Sequence, residues 1–288
     1  MKREKVQWLK QNIGYGAFGA FFALLLLGII VWSGQNTSEY EIVVLGDSVV
    51  GNQYSESSIT DVMQQRLGMT VFNGALGGTG MAFQNHELVA SEVPSLWCMA
   101  ELAKAICYDD WGAQKACVEY GDNYRKINTQ TLKYFKNRIE ELSHIDFDKV
   151  KILIIEHGTN DYNSGCPLDN ESDPYDITTY GGALRSSLRL LKETYPDLRI
   201  VLVTPVYCEF GEDGARKCYN TDFGGGYLDD YVEKEKEIAA DFGVEVIDAY
   251  HNSGIHEENI EEYLLDRLHP TQEGTVLLGE FLADYFLQ

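Results

Sequence analysis

Metal-binding spacings are missing from this chain of 288 residues: no CxxC pair and no HExxH occurs, so no usual zinc-site pattern is written into it. Proline is sparse, at six residues, and there is no low-complexity tract and no internal repeat, which argues against long disordered segments. Positive charge is also short, with 23 Lys and Arg against 45 Asp and Glu. Residues 1–34 hold four of the 23 and one of the 45, leaving 19 against 44 and a formal charge of −25 beyond them. A field of that sign repels nucleic acid and anionic lipid surfaces, and keeps the chain soluble. What is present is core material: 44% hydrophobic and 12% aromatic residues, enough to bury one large domain or two small ones.

Charge is absent altogether from residues 13–32, IGYGAFGAFFALLLLGIIVW. As a helix this run spans about 30 Å, the thickness of a bilayer's hydrocarbon core. Residues 1–12 place Lys2, Arg3, Lys5 and Lys10 against Glu4, a basic flank that marks the cytoplasmic side and leaves the remainder outside. The expected organisation is a basic flank over 1–12, a transmembrane signal anchor over 13–33, a short linker over 34–40 and one folded domain over 41–288. A cleaved signal peptide is the competing reading, with Val31 and Ser33 as small residues before a cut, although its apolar region would be unusually long. Cys98, Cys107, Cys117, Cys166, Cys208 and Cys218 all follow the apolar run. An even count in an exported domain leads us to expect disulfides. Cys208 and Cys218 flank EFGEDGARK and are expected to close that loop; the other four are not paired by the sequence.

Five apolar runs read as strands: EIVVLG (41–46), MTVFNG (69–74), VKILIIEHG (150–158), RIVLVTP (199–205) and VEVIDA (244–249). They are continuous and rich in Val and Ile, as strands covered on both faces are. Helical patterns lie between them. SITDVMQQRLG (58–68) opens on a serine cap and closes on glycine. Residues 178–196, 227–243 and 271–287 carry apolar residues three and four apart. Alternating strand and helix predicts right-handed crossovers and a parallel sheet with helices on both faces, with its site at the C-terminal ends of the strands. Residues 81–147 break the pattern as a mostly helical insertion holding three of the cysteines, either a cap beside the site or an extra structural layer.

Four strand-end or C-terminal stretches could carry chemistry: Gly46-Asp47-Ser48, NGALGGTG (73–80), HGTND (157–161) and DRLHPTQEG (266–274). Each has a plain structural explanation. Ser48 could cap a helix, Gly77 and Gly78 could be turn residues, Asn160 could make an Asx turn, and a lone histidine such as His269 is more often structural. The glycine-rich stretch 73–80 shows neither a GxGxxG nor a GxxxxGK[ST] spacing, which argues against a nucleotide site there.

Taken together, the four resemble the blocks of the SGNH hydrolases, a branch of the GDSL esterases and lipases, over about residues 40–288. The resemblance implies a flavodoxin-like three-layer α/β/α sandwich with a five-stranded, mainly parallel sheet. It puts the nucleophile at Ser48 in GDS, the block II glycine at Gly78 with Gly77 a possible shift, block III at Gly158-Thr159-Asn160-Asp161, and block V at Asp266 and His269. It further implies an oxyanion hole of the Ser48 and Gly78 N–H groups and the Asn160 amide. Gly46 and Gly158 complete the motifs; Asp47 is read as organising its turn and Asp161 as supporting the loop of Asn160. His157 adjoins block III but matches no family role and stays outside the site. The chemistry is coherent. A serine hydroxyl needs an imidazole to take its proton, the imidazole needs a carboxylate to fix its tautomer, and the tetrahedral intermediate needs preorganised donors. No metal or other cofactor is required.

The family acts on many esters, and a fold does not choose among them. Three loops are expected to shape the pocket, at residues 81–147, 162–176 and 207–226, and they hold Trp97, Tyr108, Trp111, Tyr162, Tyr207 and Tyr219. Such aromatic faces suit sugar rings, yet are as often core packing. The expected partners are a small-molecule or glycan ester and, through the N-terminal helix, the membrane; no nucleic acid is expected. A carbohydrate acetylesterase is the first reading. A lysophospholipid or other lipid esterase, an O-acetyltransferase acting on surface glycan, and a non-catalytic glycan-binding domain are the alternatives.

Overall fold

Ile42–Gly46 is buried at every residue and forms β1, an inner strand of the sheet, which is why its sequence shows no polar alternation. The computed structural model describes residues 39–51, 56–84, 95–116 and 129–288. The expected anchor over 13–33 lies outside the described residues, and among those described no helix is long and apolar enough to cross a membrane. Glu39–Gln288 forms one compact unit.

The remaining strands are β2 (Val71–Asn73), β3 (Ile152–Glu156), β4 (Arg199–Val203), β5 (Glu209–Phe210), β6 (Arg216–Lys217) and β7 (Glu245–Ile247). The main sheet runs β2-β1-β3-β4-β7 with every neighbour parallel. The chain passes from β1 to β2 on one side and from β3 to β4 on the other, and such a switch point between β1 and β3 is where open α/β sheets form their sites. Register brings Gly46 opposite Glu156, so the turns leaving β1 and β3 emerge on one rim. All five expected strands are present, each shorter than its apolar run.

The helices are α1 (Ile59–Leu67), α2 (Met99–Tyr108), α3 (Thr129–Leu142), α4 (Thr159–Asn163), α5 (Tyr180–Thr194), α6 (Leu228–Phe242), α7 (Ala249–Asn252), α8 (Ile260–Tyr263) and α9 (Gln272–Leu287). α1 packs on α9 over one face, while α2 packs on α5 and α5 on α6 over the other. Ser58 caps α1 through a reciprocal capping box with Asp61, and Gly68 closes it in a left-handed conformation. The insertion resolves in favour of structure where it is described: α2 buries six of its residues and joins the layer over the sheet. Residues 85–94 and 117–128 of the insertion lie outside the described residues.

One expectation is corrected and one open alternative is decided. Cys98, Cys107, Cys166, Cys208 and Cys218 are free thiols, so the loop between Cys208 and Cys218 is closed by other means. These residues flank the β5–β6 hairpin, whose backbone pairing and a Cys218 N–H to Cys208 carbonyl bond of 3.3 Å hold it together. The aromatic loop residues are mostly core. Trp97 and Tyr162 are fully buried, Trp111 and Tyr207 nearly so, and only Tyr108 and Tyr219 of the six are exposed. Tyr162 donates its hydroxyl to the Thr221 carbonyl at 2.7 Å, and Trp97 donates its indole N–H to the Gln114 carbonyl at 3.1 Å, so Trp97 braces its own insertion and Tyr162 ties its segment to the 207–226 loop.

Glu235 of α6 is buried and accepts the Tyr180 hydroxyl at 2.8 Å. Burial first, then the nearby Asp248 charge, outweigh that bond and Lys236, and push its carboxyl up to about 8 from an ordinary 4.5. A carboxyl raised on folding favours the folded state fully below its unfolded pKa, and that contribution is lost as pH climbs through the folded one. The melting temperature is therefore expected to fall between about pH 5 and pH 8. Glu235→Gln keeps the acceptor without the titration and is expected to fall less steeply in the same thermal melts; identical slopes would remove Glu235 from the account.

Candidate active site

β1 ends in Gly46, Asp47 and Ser48. A Cβ on Gly46 would lie 2.9 Å from the Glu156 carbonyl oxygen and 3.0 Å from its Oε2, so only glycine lets β1 end this close to β3. Asp47 is fully buried. Its Oδ1 accepts the Val49 N–H at 2.8 Å, which folds the turn that presents Ser48. Burial raises this carboxyl to about 6, against the Val49 bond and the nearby His269, which lower it.

The C-terminal block is a tight loop between α8 and α9. Leu264 and Pro270 bridge antiparallel, the Leu265 N–H reaches the His269 carbonyl at 2.8 Å, and the Thr271 N–H reaches Tyr263 at 2.9 Å. Thr271 then caps α9 by accepting the Gly274 N–H at 3.1 Å. Gly274 is needed because a Cβ there would stand 2.0 Å from the Tyr263 carbonyl oxygen. Inside this loop Asp266 does two jobs. Its Oδ1 accepts the backbone N–H groups of Leu268 at 3.2 Å and His269 at 2.8 Å, while Oδ2 meets His269 Nδ1 at 2.7 Å. Burial pushes the Asp266 carboxyl up, but the His269 backbone and imidazole bonds win and hold it below its ordinary value. With Nδ1 facing a carboxylate, Nε2 is the nitrogen left to accept, and it lies 3.0 Å from Ser48 Oγ. Ser48, His269 and Asp266 thus form one hydrogen-bonded run across 221 positions of chain.

The glycine-rich stretch is stitched against this turn. Gly74 and Leu76 donate to the Val44 and Gly46 carbonyls, both at 2.8 Å, and the half-buried Tyr134 of α3 donates its hydroxyl to Ala75 at 2.9 Å. Gly78 has φ +77°, and an added Cβ on Gly77 would stand 3.5 Å from Ser48 Cβ. Asp161 is fully buried and ties this stretch to block III, accepting the Met81 N–H at 2.7 Å and the Ala82 N–H at 2.9 Å. Burial lifts its carboxyl to about 6 against those two bonds. Gly158 takes φ +138° at the head of α4, where a Cβ would stand 2.8 Å from Pro205 Cγ.

Asn160 sits where the three segments meet. Its Nδ2 donates to the Thr79 carbonyl at 2.9 Å and to Asp47 Oδ2 at 3.1 Å. Both amide hydrogens are therefore engaged in this state, whereas the Ser48 and Gly78 N–H groups meet no acceptor among the described residues. All the residues named from the motifs converge on one rim. His157 is buried, neither ring nitrogen finds a properly aligned partner among the described residues, and burial drops it to about 3 against the pull of the Thr79 backbone, so it is neutral.

Three residues at the rim were not singled out from the sequence. Thr79 meets Asn160 through its carbonyl, which no side-chain pattern reveals, while its hydroxyl donates to the Leu76 carbonyl at 2.6 Å. Glu209 is buried beside the Asp266–His269 loop, and it accepts Arg267 Nη1 at 2.7 Å, Tyr207 Oη at 2.9 Å and Lys217 Nζ at 3.0 Å. Arg267 stands between Asp266 and His269 in the left-handed region at φ +66°, so this pair ties the loop to the β5–β6 hairpin. Glu156 is the third; a lone acid closing the apolar run ILII was its signal.

Residues 100–277 match the GDSL-like lipase/acylhydrolase family. The chain belongs to that family and is a hydrolase of ester bonds. The matched stretch includes Asn160, Asp266 and His269 and begins after Ser48 and Gly78. Among solved structures, a protein from Lactobacillus plantarum is 18% identical with a TM-score of 0.60, covering 87% of this chain and 98% of its own. A possible lipase from Chitinophaga pinensis is 18% identical with a TM-score of 0.55, over 87% of this chain and 98% of its own. At these identities the likeness is one of fold. No curated protein matches the chain.

Proposed function

We propose that the chain is a serine esterase in which Ser48, His269 and Asp266 act as nucleophile, base and orienting carboxylate. The observation that carries this reading is the unbroken run from Asp266 Oδ2 to His269 Nδ1 at 2.7 Å and from Nε2 to Ser48 Oγ at 3.0 Å. Ser48 Oγ attacks the acyl carbon as its proton passes to Nε2, and the carbonyl electrons move onto oxygen. The Ser48 and Gly78 N–H groups receive that oxyanion, and Asn160 joins them by sharing a hydrogen now held by Thr79 or Asp47. Collapse breaks the bond to the alcohol, which leaves with the proton from Nε2. Water repeats the sequence on the acyl-enzyme, releasing the acid and restoring Ser48.

The preferred substrate in this reading is an O-acetyl ester on a neutral carbohydrate. The acidic charge of the chain disfavours anionic lipid surfaces. Tyr219, half exposed, stacks on Tyr207 at 6.4 Å and 27°, and Tyr207 bonds the same Glu209 that holds Arg267 of the catalytic loop. That places an aromatic face one ion pair from the site, and such faces suit sugar rings. The uncharged run at 13–32 with its basic flank supports a membrane-anchored, extracytoplasmic enzyme; protease accessibility of the domain in intact cells checks it. Initial rates on acetylated oligosaccharides, lysophospholipids and acyl thioesters, with products identified, test the substrate. Fastest release of free acetate from the oligosaccharides is expected. Faster turnover of lysophospholipid, or acetyl recovered on a second sugar, would replace this reading with the corresponding alternative.

A further inference from the structure

Two carboxylic acids lie against each other beneath the nucleophile, and among the described residues no lysine or arginine pairs with either. Asp47 and Glu156 are 0% and 2% exposed. The register that sets Gly46 opposite Glu156 and the bare α-carbon of Gly46 let Glu156 Oε2 reach within 3.4 Å of the Asp47 N–H, which sets the two carboxyl groups side by side. Asp47 is committed elsewhere at both oxygens, to Val49 N–H through Oδ1 and to Asn160 Nδ2 through Oδ2. Glu156 has no other hydrogen-bond partner among the described residues, and its Oε1 is buried without one.

Resting on the serine-esterase reading, we infer that Glu156 is a positioning residue: its carboxyl donates a hydrogen bond to Asp47, and Asp47 in turn sets the Asn160 amide for the oxyanion. Two adjoining carboxylates cannot both ionise in a site closed to water. Asp47 is the one that keeps its charge, because it collects N–H donors and faces His269. Glu156 collects a single long N–H bond and faces acids: Asp47 from the β1 turn, Glu235 from α6, and the Tyr180 phenol from α5. Burial and the Asp47 charge accordingly push Glu156 well above its ordinary value, so it stays protonated. That single proton has a consequence for Asn160. An acceptor already satisfied by Glu156 holds the amide in place yet releases a hydrogen to a developing oxyanion; an Asp47 stripped of that donor holds the amide with its full charge.

The test is a double-mutant cycle on a soluble acetyl ester, with Ser48→Ala run alongside. Glu156→Gln keeps one acceptor for the Asp47 N–H and one donor for its carboxylate, and is expected to hold kcat within about threefold of wild type. Glu156→Leu removes both and is expected to lower kcat about tenfold with KM within about twofold. Combined with Asn160→Ala, Glu156→Leu is expected to add nothing further, because it acts through that amide. Losses that multiply in the double variant, or a Gln variant as slow as the Leu variant, would overturn the inference. Should Glu156→Leu not fold by thermal melt, the Gln variant decides alone: a tenfold fall would contradict a neutral, donating Glu156. If Ser48→Ala itself retained full rate, the esterase reading would fail, and the Glu156 results would bear on it no longer.

Discussion

Ser48→Ala is expected to lower kcat by about 10⁶-fold, leaving only the residual rate that oxyanion donors and binding supply. The argument is geometric. Ser48 Oγ lies 3.0 Å from His269 Nε2, placed to donate its proton to that nitrogen, and nothing in a methyl group replaces the bond it forms with the acyl carbon. The side chain makes no other hydrogen bond among the described residues, so the fold should be undisturbed and the melting temperature close to wild type. Steady-state rates on an activated acetyl ester, with the melt as control, check both halves.

Asp266→Asn is expected to lower kcat by about 10³- to 10⁴-fold. Asparagine keeps an oxygen for the Leu268 and His269 N–H groups, which Asp266 Oδ1 now accepts at 3.2 and 2.8 Å, so the loop should persist. What changes is the other end. An amide NH2 facing Nδ1 moves the imidazole proton to Nε2, and that nitrogen then cannot accept from Ser48. The Asp266 side chain is 54% exposed, so water screens part of its charge, which places the loss at the lower part of such ranges. Asp266→Ala should cost at least as much, because it removes the loop contacts as well. An Asn variant near wild-type rate would show that the carboxylate does not set the tautomer.

The sequence made the sheet legible because strands covered on both faces leave uninterrupted apolar runs, as in Ile42–Leu45 and Ile152–Ile155. It also made the motif residues legible, since each had to follow a strand end or precede a capped helix such as α9. Strand limits were less clear, because apolar residues continue into turns that pack but do not pair, as at Gly74 and Pro205. The β5–β6 hairpin was invisible: two-residue strands carry no period. The direction of Trp97 or Tyr162 could not be read either, because an aromatic ring serves a pocket wall and a core equally well, and here their polar atoms meet backbone carbonyls inside the loops. The Cys208–Cys218 expectation rested on spacing and on an exported compartment, and backbone pairing closes that loop instead. Glu156 shows the opposite case, a residue whose role depends on register across β1 and β3, which no spacing along the chain encodes.

The account rests on Ser48 being the activated hydroxyl. A fluorophosphonate probe reports this directly, because an activated serine displaces its fluoride and keeps the phosphonyl group. After labelling and proteolysis, mass spectrometry of the intact enzyme's peptides is expected to place the adduct on Ser48, with labelling abolished in Ser48→Ala and strongly reduced in His269→Ala. An adduct on another serine, or an enzyme that hydrolyses esters while Ser48 stays unlabelled, would contradict it.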